Sequence, residues 1–254
     1  DLNFGCPAKE VTGSASGSAL MRTPDLASRI MASVVAATSR PVTVKMRLGW
    51  DDNQRNAASL AVVAEGLGVA AVTVHGRTRQ QFYKGEADWA AISDVKQAVS
   101  IPVIVNGDII TLSDAREAMR ISGADALMLG RGVYGRPWLA SMLDRGLASD
   151  HQTVAELEEP TASERLAIVV DHLRRSVEFY GHGLGLKMFR KHLGWYVEQA
   201  PWPAEPHLRR RAKAALCRIE TPDLIGPHLA ALWGQASEPR SVEFWSQLDQ
   251  ATVA

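Results

Sequence analysis

The sequence predicts an α/β protein of the (β/α)8 TIM-barrel class followed by a small all-α helical domain. Three observations predict it. Short β-branched runs alternate with amphipathic stretches over the first 145 residues, the pattern of a parallel sheet with helical crossovers. Polar and charged residues gather at the C-terminal ends of those runs, where barrel enzymes build their sites. No G-x-G-x-x-G follows the first run, which argues against the open doubly wound alternative.

The expected strands are residues 1–4, 42–46, 71–75, 103–106 and 126–129, each short, apolar and flanked by Gly or Pro as buried parallel strands are. A closed barrel needs eight strands. These five read as strands four to eight, with three expected ahead of Asp1, where the chain already begins inside a strand and lacks an initiator Met. Helical patterns fill the gaps. Thr23-Pro24 reads as an N-cap with Pro in the first turn, ahead of Ile30, Val34 and Val35 on one face. Further helices are expected at 56–66, 87–99 and 111–122, the last with Asp114 in the capping-box position.

Residues 146–160 are polar and acidic and read as a linker ending in Pro160. Thr161 and Glu164 form a second capping box ahead of Leu166, Val169, Val170 and Leu173. Residues 181–185 are expected to break that helix, with further helices at 186–196, 208–219 and 222–231. The expected organisation is therefore a partial barrel domain over 1–150, a helical domain over 161–232 and a tail over 233–254.

Composition excludes little beyond a membrane span, since there is no run of 18 apolar residues, and no signal peptide is expected from the residues at hand. Two cysteines in 254 residues make no disulfide scaffold, and no Cys/His spacing suggests a metal. A reducing, cytoplasmic setting and a monomer are expected. The 28 basic and 28 acidic residues balance overall but not locally: residues 161–220 carry 11 Lys or Arg against 6 Asp or Glu. That excess suits a polyanion, or simply a solvated helix face.

Cys6, in Gly5-Cys6-Pro7, follows the first strand, where a mostly protonated thiol can serve as a general acid; a small buried hydrophobe is the bland alternative. Lys45 ends an apolar strand and needs a partner, either an anionic ligand, a reduced flavin ring or a structural carboxylate. His75 ends the next strand and can bond a cofactor, a substrate or only a backbone group. Asn106-Gly107-Asp108 and Gly130-Arg131-Gly132 end the last two strands, where backbone N–H groups and an Arg commonly hold a phosphate. In the helical region Lys187, Arg190, Lys191, Arg209, Arg210 and Arg211 interleave with Tyr180, Phe189, Trp195, Tyr196 and Trp202, as nucleic-acid binding or ordinary packing would require.

Taken in order, Asp1-Leu2-Asn3-Phe4-Gly5-Cys6-Pro7, Val44-Lys45-Met46-Arg47, Val74-His75-Gly76-Arg77-Thr78, Val105-Asn106-Gly107-Asp108 and Gly130-Arg131-Gly132 resemble the tRNA-dihydrouridine synthases. Residues 182–196, HGLGLKMFRKHLGWY, resemble the bacterial branch related to the nitrogen-regulation protein NifR. The resemblance spans about residues 1–232 and implies an FMN-bound barrel with a helical tRNA-binding domain. It implies reduction of the C5=C6 bond of uridine in tRNA, with NADPH as the electron source. Cys6 would give the proton to C5 and reduced FMN the hydride to C6. Lys45 and His75 would contact the flavin ring, and Asn106, Gly107, Asp108, Gly130 and Arg131 its phosphate and ribityl chain. Asn3, Arg47 and Arg77 would lie near the flavin or the flipped uridine. Two alternatives remain open on the sequence: an FMN-dependent barrel reductase of a small pyrimidine or enone, and a non-catalytic RNA-binding relative.

Overall fold

Strands β1 (Leu2–Phe4), β2 (Thr43–Arg47), β3 (Ala71–His75), β4 (Val103–Asn106) and β5 (Ala126–Met128) form one parallel sheet in the order β1-β2-β3-β4-β5. Each strand pairs only with its neighbours in sequence, so the crossovers never reverse direction. This is the winding sense of a barrel, without the switch point of a doubly wound sheet. The computed structural model describes residues 1–148, 159–200 and 205–233. Most of the expected linker and the tail after Trp233 lie outside the described residues.

Register gives the sheet two unlike faces. Val44 pairs with Val72 and Val72 with Val103, while Phe4, Met46, Val74 and Val105 form the next apolar row. These side chains are buried, and α3 (Ala57–Gly66) and α5 (Leu112–Ser122) pack on the strands that carry them. Alternation puts the intervening residues on the opposite face. There Asn3, Lys45, Thr73 and Ile104 align in one row, and Arg47, His75, Asn106 and Met128 in the row beyond it. Every polar strand residue singled out from the sequence therefore shares one face.

The helices form largely where their signals stand. The first are α1 (Lys9–Thr12) and α2 (Pro24–Ala36), the latter with Pro24 in its first turn. Thr111 and Asp114 make the reciprocal capping box of α5. The helix expected over 87–99 starts late, as a 3-10 turn at Ala90–Ile92 leading into α4 (Ser93–Ala98). Its expected first turn is held elsewhere: Ala87 N–H donates to Asp108 Oδ2 at 2.9 Å and Asp88 N–H to the Gly76 carbonyl at 2.6 Å. Two α-helices went unforeseen, α1 and α6 (Leu139–Ala148), the last turn of the latter covering the start of the expected linker.

The chain divides into two compact units. The first holds residues 1–132 and, of the described residues, 143–148; the second holds residues 133–142 and the described residues from Glu159 onward. Residues 133–142 thus group with the helices. Tyr134 stacks on Trp195 with ring centroids 3.9 Å apart. The second unit contains α7 (Ala162–Tyr180), α8 (His182–Gln199), α9 (Pro206–Leu216) and α10 (Pro222–Trp233). Its core includes Val169, Leu173, Phe189, Leu193, Val197, Leu216 and Leu229. The Thr161–Glu164 capping box opens α7 as expected. The break after it is shorter than expected: Gly181, at φ +79°, interrupts the helix alone, and Gly183 and Gly185 lie inside α8. Gly185 is needed there because a Cβ would sit 2.5 Å from the Ser176 carbonyl oxygen of α7.

Candidate active site

Cys6 sits in a turn shaped by the strand before it. The Asn3 side-chain oxygen accepts from the Gly5 and Cys6 N–H groups, both at 3.0 Å. The Cys6 carbonyl accepts from the Ser18 N–H and hydroxyl at 3.0 and 2.8 Å. Gly17, at φ +58°, lies against the turn so closely that a Cβ would stand 2.8 Å from the Cys6 carbonyl oxygen. The thiol residue is half-buried, clamped from both sides at the C-terminal end of β1. Asn3 thus acts through the turn; sequence alone could not separate that from a ligand contact. Gly17 and Ser18 carried no signal beyond a Ser/Gly-rich loop.

Arg47 is 2 % exposed and spends its guanidinium on backbone: Nε on the Gly5 carbonyl, and one terminal nitrogen on the Thr78 and Phe82 carbonyls, each at 2.8 Å. It ties the Cys6 turn to the loop after β3. Burial pulls its pKa down to about 10, so it stays charged at neutral pH. The Lys45 side chain, one pleat earlier on the same face, makes no hydrogen bond or ion pair among the described residues. Burial, then the neighbouring Arg47 charge, lowers its ammonium to about 8. Burial, then the charges of Arg47, Lys45 and Arg77, depresses His75 to about 3, so its ring is neutral.

Arg77 and Asp108, the one expected near substrate and the other at cofactor phosphate, bind each other. Two parallel hydrogen bonds join them, at 2.8 and 2.5 Å. Asp108 also accepts from Ala87 N–H and lies 3.7 Å from Arg131. Burial alone would raise the Asp108 carboxyl; the Arg77 and Ala87 hydrogen bonds and the charges of Arg77 and Arg131 outweigh it and lower the pKa. Asn106 donates to the Met128 carbonyl at 2.8 Å, linking β4 to β5. Gly107, at φ +119°, packs on His75: a Cβ would stand 2.7 Å from the ring Cδ2. Gly130 faces open space, and the exposed Arg131 guanidinium lies 4.7 Å from the Tyr83 ring. Tyr83, 54 % exposed, also has the Arg47 guanidinium 5.6 Å away. It was missed, as was Trp50, which has Arg22 and Arg79 guanidiniums 4.7 and 4.6 Å from its ring. Neither aromatic stands in a recognisable motif.

The basic residues of the second unit divide into two sets. Arg190 donates to the Ile219 carbonyl, and Arg209 to the carbonyls of Glu198 and Ala200, so both brace helix ends. Lys187, Lys191, Arg210 and Arg211 are exposed. Lys187 and Lys191 make no ion pair among the described residues.

Residues 1–229 match the sequence profile of the dihydrouridine synthase (Dus) family. The chain belongs to the dihydrouridine synthase family. A probable tRNA-dihydrouridine synthase of Rickettsia conorii is 52% identical over 205 residues, 81% of this chain and 61% of the relative. Its counterpart in Rhizobium leguminosarum is 50% identical over 229 residues, 90% of this chain and 68% of the relative. The tRNA-dihydrouridine synthase B of Xanthomonas campestris is 43% identical over 223 residues, 88% of this chain and 64% of the relative. The chain thus spans about three-fifths of the length of several dihydrouridine synthases that it matches. Among the described residues no group of three or more His, Cys, Asp or Glu could hold a metal ion, and no helix is long and apolar enough to cross a membrane.

Proposed function

We propose that this chain is the larger part of a flavin-dependent reductase that converts uridines of tRNA to 5,6-dihydrouridine, with NADPH as electron source. The observation that carries the reading is the shared polar face. A lysine without an ion-pair partner among the described residues and a neutral histidine occupy one side of the sheet, and the Cys6 thiol stands at a strand end close enough to Arg47 of that face to act on its charge. Those groups fit a flavin. Among the described residues Lys45 has no carboxylate partner such as a structural lysine would have, and an electron-rich or anionic ring would complete it. Gly130 leaves room for a ligand beside the exposed Arg131, which suits a phosphate.

When bound, reduced FMN supplies the hydride for C6 of the uracil. The chain supplies the rest. Cys6 delivers a proton from Sγ to C5, its backbone held by Asn3, Gly17 and Ser18. Arg47 keeps the Cys6 turn and the loop after β3 in fixed relation, which limits misplacement of the thiol. Lys45 offsets negative charge on the bound ring, and Asn106, Gly107 and Asp108 shape its surroundings. Lys187, Lys191, Arg210 and Arg211 meet RNA phosphates and help offset the few kcal/mol, roughly, that extruding a base costs. The five strands of the first unit then make five of the eight strands of the barrel, and the helices of the second unit form the tRNA-binding domain. Such a substrate implies a cytoplasmic setting.

The test is reconstitution of the full-length protein with FMN and tRNA from cells lacking its gene. The parent is expected to bind flavin and form dihydrouridine, and Cys6→Ala to slow the reaction about 100-fold or more, as loss of a general acid does. Equal turnover by Cys6→Ala, or an FMN-loaded protein that reduces small enones but never tRNA, overturns the reading.

A further inference from the structure

Arg77 is one of the largest fully buried side chains, at 2 % exposed, and it is charged. A guanidinium carries five N–H donors and no acceptor. All five are directed at acceptors of this chain. Nε donates to the Lys84 carbonyl at 3.1 Å. One terminal nitrogen donates to Asp108 Oδ2 and to the Gly85 carbonyl, both at 2.5 Å. The other donates to Asp108 Oδ1 at 2.8 Å and faces His75 Nε2 at 3.4 Å.

That last contact decides the state of the imidazole. Arg77 can only donate, so Nε2 of His75 must carry its lone pair and not a hydrogen. Were Nε2 protonated, two N–H groups would oppose each other in a buried place, and a donor of a buried cation would lose its acceptor. The ring is neutral, so its single proton is on Nδ1. Steric contact agrees on which edge is covered. A Cβ on Gly107 would stand 2.7 Å from His75 Cδ2 and 3.0 Å from Nε2, so backbone lies against the Cδ2–Nε2 edge. The Gly107 carbonyl is itself held by Trp89 Nε1 at 2.7 Å. Nδ1 makes no hydrogen bond among the described residues and is not among their fully buried unpartnered atoms. The charged groups around the ring are Lys45 and Arg47 from β2, Arg77 beyond β3 and Asp108 beyond β4.

We infer that Arg77 is a positioning residue that fixes His75 as the neutral Nδ1–H tautomer, so that His75 offers a hydrogen-bond donor to an acceptor atom of the bound ring. The donor's purpose rests on the flavin reading above; the tautomer does not. Asp108 serves the same end by aligning the guanidinium. A merely structural Arg77 would tie the loop after β3 to the end of β4 and leave the His75 proton unspecified.

Long-range 1H–15N spectra of the histidine rings in the intact protein test this without turnover, with the His75 signals assigned by their loss in His75→Asn. The parent is expected to show Nδ1 protonated and Nε2 bare. Arg77→Met is expected to move His75 toward the Nε2–H form. An Nε2–H or doubly protonated ring in the parent overturns the inference, as does an unchanged tautomer in folded Arg77→Met. Should Arg77→Met not fold, the parent spectrum still decides. Flavin titration adds a second readout. Asn places an N–H near the site of Nδ1 and Gln one near Nε2. His75→Asn is expected to bind FMN within about threefold of the parent and His75→Gln about tenfold more weakly, the worth of roughly one hydrogen bond. The reverse order sinks the donor role. A parent that binds no flavin sinks the functional reading, while the ring spectra still decide the tautomer.

Discussion

Replacing Asp108 by Asn would expose how much the first unit depends on one buried charge. Asp108 sits at φ +54°, a left-handed conformation that Asn tolerates well, so the exchange leaves the backbone unstrained and removes only the charge and one acceptor. The carboxylate accepts from two Arg77 nitrogens and from Ala87 N–H. Asn offers one oxygen to those donors and points its own NH2 at a guanidinium. Breaking a fully buried pair by removing one partner costs about 3–5 kcal/mol. Arg77 is 2 % exposed but the Asp108 side chain is 31 % exposed, so water recovers part of that, leaving about 2–3 kcal/mol. With a urea m-value near about 3 kcal/mol/M, the midpoint should fall by roughly 1 M. Hydrogen exchange at β3 and β4 amides, followed against urea, reports the right unit. The difference from the parent should also vanish in acid. The folded carboxyl has a lowered pKa, so its stabilisation is present above the unfolded value and is lost as pH falls through the folded one. Stabilities that agree within about 0.5 kcal/mol at pH 7 would refute the reasoning, because Arg77 would then be solvated some other way.

Three further outcomes are expected. His75 titrates at about 3 folded and near 6.5 unfolded, so between those values only the unfolded chain binds the proton and acid favours unfolding. The parent should lose about 1.4 kcal/mol more than His75→Asn between pH 7.5 and 5.5; parallel pH profiles would contradict this. Gly185→Ala should destabilise the helical unit by about 3 kcal/mol, since the new methyl would stand 2.5 Å from the Ser176 carbonyl oxygen; a calorimetric transition unmoved by it would show that α7 and α8 separate at little cost. Replacing Lys187 and Lys191 by Ala should weaken tRNA binding and lower the slope of log K against log salt by about one to two; an unchanged slope would place the RNA elsewhere.

The strands were legible because hydrophobic runs bounded by Gly and Pro leave few other choices, and parallel register then put Lys45, Arg47, His75 and Asn106 on one face. Capping boxes fixed the starts of α5 and α7 because two side chains there report one geometry. What the sequence could not carry is who satisfies whom. Arg77 and Asp108 both read as ligand contacts, and only the fold shows that, although 31 positions apart, they are joined. Arg47 likewise spends its donors on carbonyls of Gly5, Thr78 and Phe82, a choice that no local pattern encodes. The late start of α4 has the same origin, since Ala87 is claimed by Asp108 from the loop after β4 and Asp88 by Gly76 at the far end of its own loop.

The unreversed strand order also governs how the sheet can be assembled. β1 pairs with β2, β2 with β3, β3 with β4 and β4 with β5, so each pairing joins consecutive strands. Loop-closure entropy is then incurred in modest, similar instalments within this sheet, and none of its five strands waits for a distant partner among the other four. A ribosome releasing this chain would let every new strand dock on the one just formed, with its crossover helix covering the apolar face as it goes. During that growth the backbone groups on the leading strand stay unpaired, which makes the nascent edge the place where another chain could attach. Slowing synthesis just after β3 or β4 should therefore raise aggregation more than slowing it within the helical unit.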